Sequence, residues 1–187
     1  MERNDEQLIA AYLEGEERAL DELVRRNMKI IYNFVFRFVG NVGDAEDITQ
    51  EVFVKVWRHV KNFHAEANFR TWLFTIAHRT AIDWLRKRRR LVFSDMNSKD
   101  GEYVFEEMIA DTEPLPDELF ARAEDKTFVE ALFMQLSPGY REVLYLHYYE
   151  ELTFDAIGSI LGKPLNTVKS QHRRALIAIR KLIEAPK

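Results

Sequence analysis

The stretch GDAEDITQEVFVKVWRHVKNF, residues 43–63, decides the fold class of this 187-residue chain. From Asp44 to Val60 its apolar residues recur at intervals of three and four, which is the spacing of one face of an α-helix. Such a face must be buried, so the segment is predicted to be an amphipathic helix that packs into a core. The stripe consists of Ala45, Ile48, Val52, Val56 and Val60, and it is widened by Phe53 and Trp57.

A second helical pattern follows in FRTWLFTIAHRTAIDWLRKRRR, residues 69–90, and we predict one long helix from Asn68 to Arg90. Its first part carries an apolar stripe and its end is a run of five cations, residues 86–90. No convincing strand pattern occurs anywhere in the chain, so we predict an all-α protein. The tryptophans Trp57, Trp72 and Trp84 fall on apolar stripes and are predicted to belong to the core.

The segment after the cationic run has a different composition. Residues 94–116 are rich in Asp, Asn, Ser and Gly and contain two prolines, which is typical of a linker. Residues 95–130 hold twelve acidic against three basic side chains, whereas residues 163–187 hold seven basic against one acidic. We therefore expect two helical domains, residues 1–93 and 118–187, joined by a flexible acidic linker, residues 94–117.

The C-terminal part carries three helix signals in succession. Ser137-Pro138 has the order of an N-cap followed by proline at the first helical position, and it opens a helix to about Tyr149. Thr153 can cap a short helix that reaches Leu161, and Gly162 supplies a turn. Lys163-Pro164 then begins a third helix to about Glu184. A short helix, a glycine turn and a longer basic helix predict a helix-turn-helix.

The third helix has distinct apolar and basic faces. Its inward positions are predicted to be Val168, His172, Ala175, Ile179 and Leu182, and its outward positions Lys169, Ser170, Arg173, Arg174, Arg180 and Lys181. Donors at the start of such a helix can reach base edges in the major groove, and cations can neutralise phosphates. A solvated charged helix on any bundle is an alternative that fits this pattern equally well.

Several classes of function lack support in the sequence. There is no cysteine, which excludes disulfides and thiolate chemistry, and the five histidines form no metal motif. No nucleophile with its base and no phosphate-binding glycine loop occurs, so we expect no cofactor and no intrinsic catalysis. A carboxylate cluster around Asp44 and Glu46 offers only weak support for a metal-dependent nuclease. No apolar run is long enough to insert into a membrane, so we expect a cytoplasmic protein.

Two segments resemble a known family. Residues 43–63 and 69–90 are similar to region 2 of extracytoplasmic-function (ECF) sigma factors of bacterial RNA polymerase. Residues 136–176, LSPGYREVLYLHYYEELTFDAIGSILGKPLNTVKSQHRRAL, resemble region 4 of the same family. The resemblance implies a non-catalytic subunit that binds core polymerase, recognises and melts promoter DNA, and is held inactive by an anti-sigma factor. The alternatives are a stand-alone helix-turn-helix regulator and a nucleic-acid-processing enzyme.

The resemblance also implies the residues of the polymerase interface. Asp47, Gln50 and Glu51 lie at i, i+3 and i+4 and therefore on one helix face. Taken alone, this face fits an ordinary solvated helix. In the family the matching positions bind the clamp helices of the largest polymerase subunit, and region 4 binds its flap region.

Further residues are assigned to promoter DNA by resemblance alone. Arg79 stands where many relatives carry Asn, and Gln171 and Leu176 stand where relatives often carry Arg. The minus-10 element is expected to contact Phe63, Asn68, Arg70, Thr71, Arg79, Arg86, Arg88 and Arg89. The minus-35 element is expected to contact Thr167, Lys169, Ser170, Arg173 and Arg174.

Overall fold

The computed structural model describes residues 3–63, 68–93, 132–133 and 135–184. Within these ranges it contains seven α-helices and one short 3-10 helix, and no strand. The prediction of an all-α protein is confirmed. The segment predicted to be a linker, residues 94–117, lies outside the described residues.

The helices fall into two compact units. The first unit contains α1 (Asp5–Leu13), α2 (Glu17–Val39), α3 (Val42–His59), the 3-10 turn Val60–Asn62 and α4 (Phe69–Phe93). The second unit is formed largely by α5 (Pro138–Tyr148), α6 (Phe154–Leu161) and α7 (Leu165–Glu184).

Local sequence determines where the helices of the first unit begin and end. Asn4 caps α1 in a reciprocal pair with Gln7, so that each side chain accepts from the other residue's backbone N–H. The α2 helix ends at Gly40, whose φ of 67° is in the left-handed region that glycine adopts without strain. Asn41 then caps α3 by accepting from the Asp44 N–H at 3.0 Å.

The apolar stripe of α3 forms the centre of the first core, as predicted. Ile48, Val52 and Val56 are buried, and α3 packs against both α2 and α4. Phe34 of α2 and Phe74 of α4 meet edge to face at a centroid distance of 5.0 Å, which ties these two helices together.

The prediction that all three tryptophans belong to the core is wrong for Trp57. Its side chain is 60% exposed, although its neighbour Val56 is buried. Successive residues point about 100° apart around a helix, so Trp57 projects beyond the strip that α2 and α4 cover. Trp72 and Trp84 are half-buried.

In the second unit the predicted helix boundaries are found with two small differences. Ser137 is the N-cap residue of α5 with Pro138 at the first position, although the Ser137 hydroxyl makes no capping hydrogen bond. Thr153 Oγ1 accepts from the Ala156 N–H at 3.3 Å at the start of α6. Gly162 has a φ of 64° in the turn, and α7 begins at Leu165, one residue after Pro164, and not at Lys163-Pro164.

The second unit has its own core, in which α5 packs on α7. Leu144, Ala175 and Ile179 are buried together with the residues that precede α5, and Leu182 packs against them. The predicted inward positions Val168, Ala175 and Ile179 are buried, while His172 is half-buried. The remaining members of the cluster are Leu132, Phe133 and Leu136.

We predict that Gly158→Ala destabilises the second unit. A Cβ at this position would lie 2.8 Å from the backbone carbonyl oxygen of Lys163. Because the clashing atom belongs to the backbone, a side-chain rotation cannot relieve the contact. The turn between α6 and α7 would have to shift, and overpacking of this kind costs about 1–3 kcal/mol. Chemical denaturation followed by NMR signals of α5 measures the effect.

Gly139→Ala is the matched control in the same unit. Gly139 lies in the first turn of α5, and the nearest atoms to an added Cβ are side-chain nitrogens of Gln171 and Lys163, at 3.6 and 3.8 Å. We expect stability to be unchanged or higher, because alanine is favoured over glycine in helices. Equal losses in the two variants would contradict the role assigned to Gly158.

Candidate functional site

The exposed face of α3 carries the three residues predicted to bind polymerase. Asp47, Gln50 and Glu51 are all exposed and share one side of the helix. The Glu51 carboxylate pairs with Lys55 Nζ at 2.8 Å, and the same ammonium donates to Thr80 Oγ1 of α4 at 3.1 Å. Lys55 therefore links this face to the helix behind it.

A groove lies beside this face, between α2 and α3. It has a volume of about 860 Å³ and is lined by Gln50, Val54 and Trp57 of α3 together with Met28 and Tyr32 of α2. Met28, Val54 and Trp57 are 47%, 43% and 60% exposed, so the groove presents apolar surface to solvent. Its rim carries charges of both signs, from Arg25, Lys29 and Glu46.

Most of this groove does not follow from the sequence pattern. The pattern places Gln50 on an exposed face, but it places Trp57 in the core and indicates no role for α2. A signal was present, because Met28 lies outside the positions of α2 that the core buries, which include Leu23, Asn27 and Ile31. A single exposed apolar side chain is common, and Met28 becomes informative because it lies in one patch with Val54 and Trp57.

Three of the residues predicted to contact the minus-10 element lie in the start of α4 or in the segment just before it. Asn68 caps the helix, because its Oδ1 accepts from the Thr71 N–H at 3.0 Å and from the Thr71 hydroxyl at 3.3 Å. Phe63 is only 8% exposed and packs against Phe69 and Trp72 at centroid distances of 5.8 and 5.3 Å. In this structure the Phe63 ring is therefore part of the buried packing next to the start of α4.

Further along α4, cations face the solvent. Arg79 and Arg86 are exposed and seven residues apart, which places them on the same side of the helix two turns from each other. Arg88 pairs with the Asp44 carboxylate of α3 and lies over the Trp84 ring, 5.2 Å from its centroid. The side chain of Arg89 lies outside the described residues.

The residues predicted to contact the minus-35 element lie in the first half of α7. Lys169 and Ser170 are exposed, while Thr167, Arg173 and Arg174 are half-buried. Among the residues that the structure describes, the Nε of Arg173 is a buried side-chain nitrogen without a hydrogen-bond partner. Gln171 accepts a hydrogen bond from Lys163 Nζ at 3.1 Å, so this departure from the family pattern fastens the turn to the helix.

An aromatic cluster holds α7 against α5 and the start of α6. The His172 ring contacts Tyr148, Phe154 and His147 at centroid distances of 5.6, 5.0 and 5.1 Å. Its Nε2 lies 3.1 Å from the Tyr148 hydroxyl. Burial, together with the neighbouring His147, lowers the pKa of His172 to about 4.

A carboxyl group in α5 is shifted in the other direction. Burial raises the pKa of Glu142 to about 7, and the cations Lys163 and Arg141 only partly oppose the shift. Glu142 and His172 are therefore two groups of the same unit that are both favoured in their neutral forms.

These shifts predict opposite effects of pH on the second unit. The His172 pKa is about 4 in the folded chain against 6.5 ordinarily, so its contribution to stability is intact above pH 6.5 and is lost as the pH falls towards 4. The Glu142 pKa is about 7 against 4.5, so its contribution is complete below pH 4.5 and is lost as the pH rises through 7. In the wild type the two trends oppose each other.

Two variants separate the trends. With Glu142→Gln we expect the free energy of unfolding to fall on acidification from pH 6.5, and with His172→Leu we expect it to rise on acidification from pH 7. Urea unfolding followed by the methyl signals of Val143 and Leu146 reports on this unit alone. Parallel pH profiles in the two variants would contradict the assignment.

The described part of the chain offers neither a membrane-spanning helix nor a metal-binding cluster. None of its helices is both long and apolar enough to cross a membrane. It also contains no group of three or more His, Cys, Asp or Glu side chains that could hold a metal ion. In the carboxylate cluster of α3, Asp44 and Glu51 are instead paired with cations.

The comparisons with known proteins agree on one family. The family models for Sigma-70 region 2 and for Sigma-70, region 4 match residues 23–91 and 129–179. The ECF RNA polymerase sigma factor SigW of Bacillus subtilis (strain 168) is 31% identical over 183 residues, 97% of this chain and 97% of the relative. The ECF RNA polymerase sigma-E factor of Escherichia coli (strain K12) is 30% identical over 176 residues, 94% and 92% of the two chains.

Two solved structures share the fold. CnrH, in complex with the cytosolic domain of CnrY, matches with a TM-score of 0.65 and 22% identity over 98% of this chain and 99% of that chain. The sigma factor RpoE, in complex with the anti-sigma factor NepR from Bartonella quintana, matches with a TM-score of 0.65 and 20% identity over 89% and 98%. Because both sigma regions match in order and relatives match across nearly the whole length, this chain belongs to the ECF family of RNA polymerase sigma factors.

Proposed function

We propose that this ECF sigma factor binds core RNA polymerase, recognises promoter DNA at two elements and opens it for initiation. The observation that carries the proposal is that each of the two units has surfaces whose charge and apolar area suit polymerase or DNA. The first unit has an acidic and apolar face on α3 and a basic helix α4, and the second has a helix-turn-helix with a basic α7. The protein acts as a specificity subunit and has no reaction of its own.

The face of α3 and the adjoining groove form the proposed polymerase-binding surface. Asp47, Gln50 and Glu51 offer carboxylates and an amide to the basic side chains of the largest-subunit clamp helices. Met28, Val54 and Trp57 add exposed apolar area next to Gln50. Large aromatic side chains of this kind supply much of the binding energy at protein interfaces, whereas rim charges mainly fix orientation.

The start and the outer face of α4 form the proposed minus-10 surface. Opening a duplex costs a few kcal/mol for each unstacked step, and stacking and phosphate neutralisation must offset this. Asn68, Arg70 and Thr71 lie at the N-terminus of α4, and the cations follow along the helix. The minus-10 set consists of Phe63, Asn68, Arg70, Thr71, Arg79, Arg86, Arg88 and Arg89.

The first half of α7 forms the proposed minus-35 surface. Lys169 and Ser170 are exposed there, and the helix is fixed at its back by the buried Val168 and Ala175. This is the arrangement in which a recognition helix enters the major groove with its N-terminal residues at the base edges. The set consists of Thr167, Lys169, Ser170, Arg173 and Arg174, and the same unit is proposed to contact the polymerase flap.

The division of the chain completes the proposal. Residues 1–93 act as the core-binding and minus-10 domain, residues 118–187 as the minus-35 domain, and residues 94–117 as an acidic linker between them. An anti-sigma factor holds the protein inactive in the cytoplasm, by analogy with the RpoE–NepR complex.

Run-off transcription tests the function directly. Bacterial core polymerase is supplied with promoter fragments from the protein's own genome, with and without the protein. Defined transcripts that depend on the protein are expected. Their absence, together with failure to co-elute with core polymerase, would instead favour a stand-alone helix-turn-helix regulator.

We predict that Trp57→Ala and Gln50→Ala each weaken binding to core polymerase. Truncation of a central aromatic side chain at an interface costs about 2 kcal/mol or more, so Trp57→Ala is expected to raise the Kd by about thirtyfold. Binding of fluorescently labelled protein to core polymerase measures the Kd. Thermal stability should be unchanged, because both side chains are exposed.

Leu13→Ala is the control for this experiment. Leu13 is a large apolar side chain with 49% exposure, and it lies at the end of α1, outside the groove and outside the second unit. Its replacement should leave the Kd within about twofold, as expected for a residue outside an interface. A Trp57→Ala variant that binds as well as Leu13→Ala would remove the groove from the proposed surface.

The recognition helix offers a comparison matched in charge. Lys169→Ala and Lys181→Ala each remove one exposed lysine from α7, but only Lys169 lies in its N-terminal half. If Lys169 binds a phosphate, its loss weakens promoter binding and lowers the slope of log affinity against log salt by about one. Titration of the holoenzyme on promoter DNA at several salt concentrations should show this change for Lys169→Ala and not for Lys181→Ala. Equal slopes would contradict the placement of the minus-35 surface.

A further inference from the structure

A carboxylate of the first helix reaches the beginning of the fourth. The Oε1 of Glu6 in α1 accepts a hydrogen bond from the backbone N–H of Phe69, the first residue of α4, at 3.3 Å and across 63 positions of sequence. The first N–H groups of a helix have no partner within the helix, and the helix dipole places partial positive charge there. Glu6 therefore supplies both an acceptor and a compensating charge at this helix end.

Glu6 itself is held on a firmly anchored element. Leu8 and Ile9, which follow in α1, are buried, and the neighbouring Asp5 pairs with Arg26 of α2 at 3.1 Å. The capping pair of Asn4 and Gln7 fixes the start of α1. A side chain on such an element can hold its partner in one position, because its own backbone is not free to follow.

The partner of Glu6 lies at the proposed minus-10 surface. Phe69 is buried between Asn68 and Arg70, both of which belong to the minus-10 set. The Phe69 ring packs on Phe63 and Trp72 with centroid distances of 5.8 Å to each, so its side chain is fixed from below while Glu6 fixes its amide. Asn68 satisfies the Thr71 N–H one turn further on.

We propose that Glu6 is a positioning residue for promoter opening. By holding the Phe69 amide it keeps Asn68, Arg70 and Thr71 in the arrangement that captures the unpaired minus-10 strand. Glu6 acts through α4 and touches no DNA. This inference rests on the proposed function, and it adds α1 to the part of the chain on which melting depends.

The test compares Glu6→Ala with Gln7→Ala in the full-length protein. Gln7→Ala removes the neighbouring cap of α1 but leaves the Phe69 contact in place, so it controls for damage to α1 itself. Glu6→Gln keeps an acceptor and removes the charge. Amide hydrogen exchange at Phe69 is measured first, because it reports on the contact without any promoter.

For Glu6→Ala we expect exchange at Phe69 to accelerate by about tenfold, as for the loss of a hydrogen bond to a charged acceptor. Gln7→Ala should leave the Phe69 rate close to that of the wild type, and Glu6→Gln should give an intermediate rate. Equal rates in Glu6→Ala and the wild type would overturn the inference at its first step.

Transcription then tests the role. On a duplex promoter obtained from the run-off selection, Glu6→Ala holoenzyme is expected to form open complexes about tenfold less well than wild type. On the same promoter with an unpaired minus-10 region the defect should shrink to about twofold, because less melting energy is then required. The affinity for core polymerase should not change.

The outcomes separate this inference from the proposed function. If wild-type protein supports no transcript, the proposed function fails, and the positioning role fails with it even if the Phe69 contact is real. If wild type is active but Glu6→Ala shows the same defect on both templates, or matches Gln7→Ala on the duplex, the function stands and the positioning role is overturned. A general folding defect would lower both the affinity for core polymerase and open-complex formation on both templates.

Discussion

The burial of the α3 stripe between α2 and α4 is the constraint on which the first unit depends. Ile48 and Val52 are completely buried, and the helix can satisfy this burial in only one rotation about its axis. That rotation puts Asp47, Gln50 and Glu51 on the solvent side, and it leaves Trp57 at the edge of the groove. The proposed polymerase surface is thus fixed by the packing behind it, and a change in the core would turn the surface away from its partner.

The sequence predicted those features that depend on periodicity and on local hydrogen bonds. The α3 and α4 helices, the cap at Thr153 and the turn at Gly162 all follow from residue type and spacing. Contacts between distant residues could not be predicted in this way. The hydrogen bond from the Phe69 N–H to Glu6 depends on how the helices pack, and so does the position of Met28 in the groove. No local sequence pattern encodes either of them. Trp57 was misassigned because a stripe on one helix does not show how wide a strip its neighbours cover.

Several charges on the proposed binding surfaces already have partners within the chain. Glu51 pairs with Lys55, and Arg88 pairs with Asp44. Binding to polymerase or DNA would exchange these ion pairs for new ones, and the net gain in free energy from such an exchange is small. At the proposed polymerase surface the charges would then contribute mainly to orientation and to the rejection of wrong partners, and the apolar groove would supply most of the affinity.

The exposed indole of Trp57 has an optical consequence. Trp72 and Trp84 are half-buried within the first unit, so Trp57 is the tryptophan whose surroundings change most when the groove is filled. Indole emission shifts to shorter wavelength when water is replaced by an apolar contact. The chain therefore carries an intrinsic fluorescent reporter at the groove, and the arrival of a partner there can be followed in real time without attaching a dye.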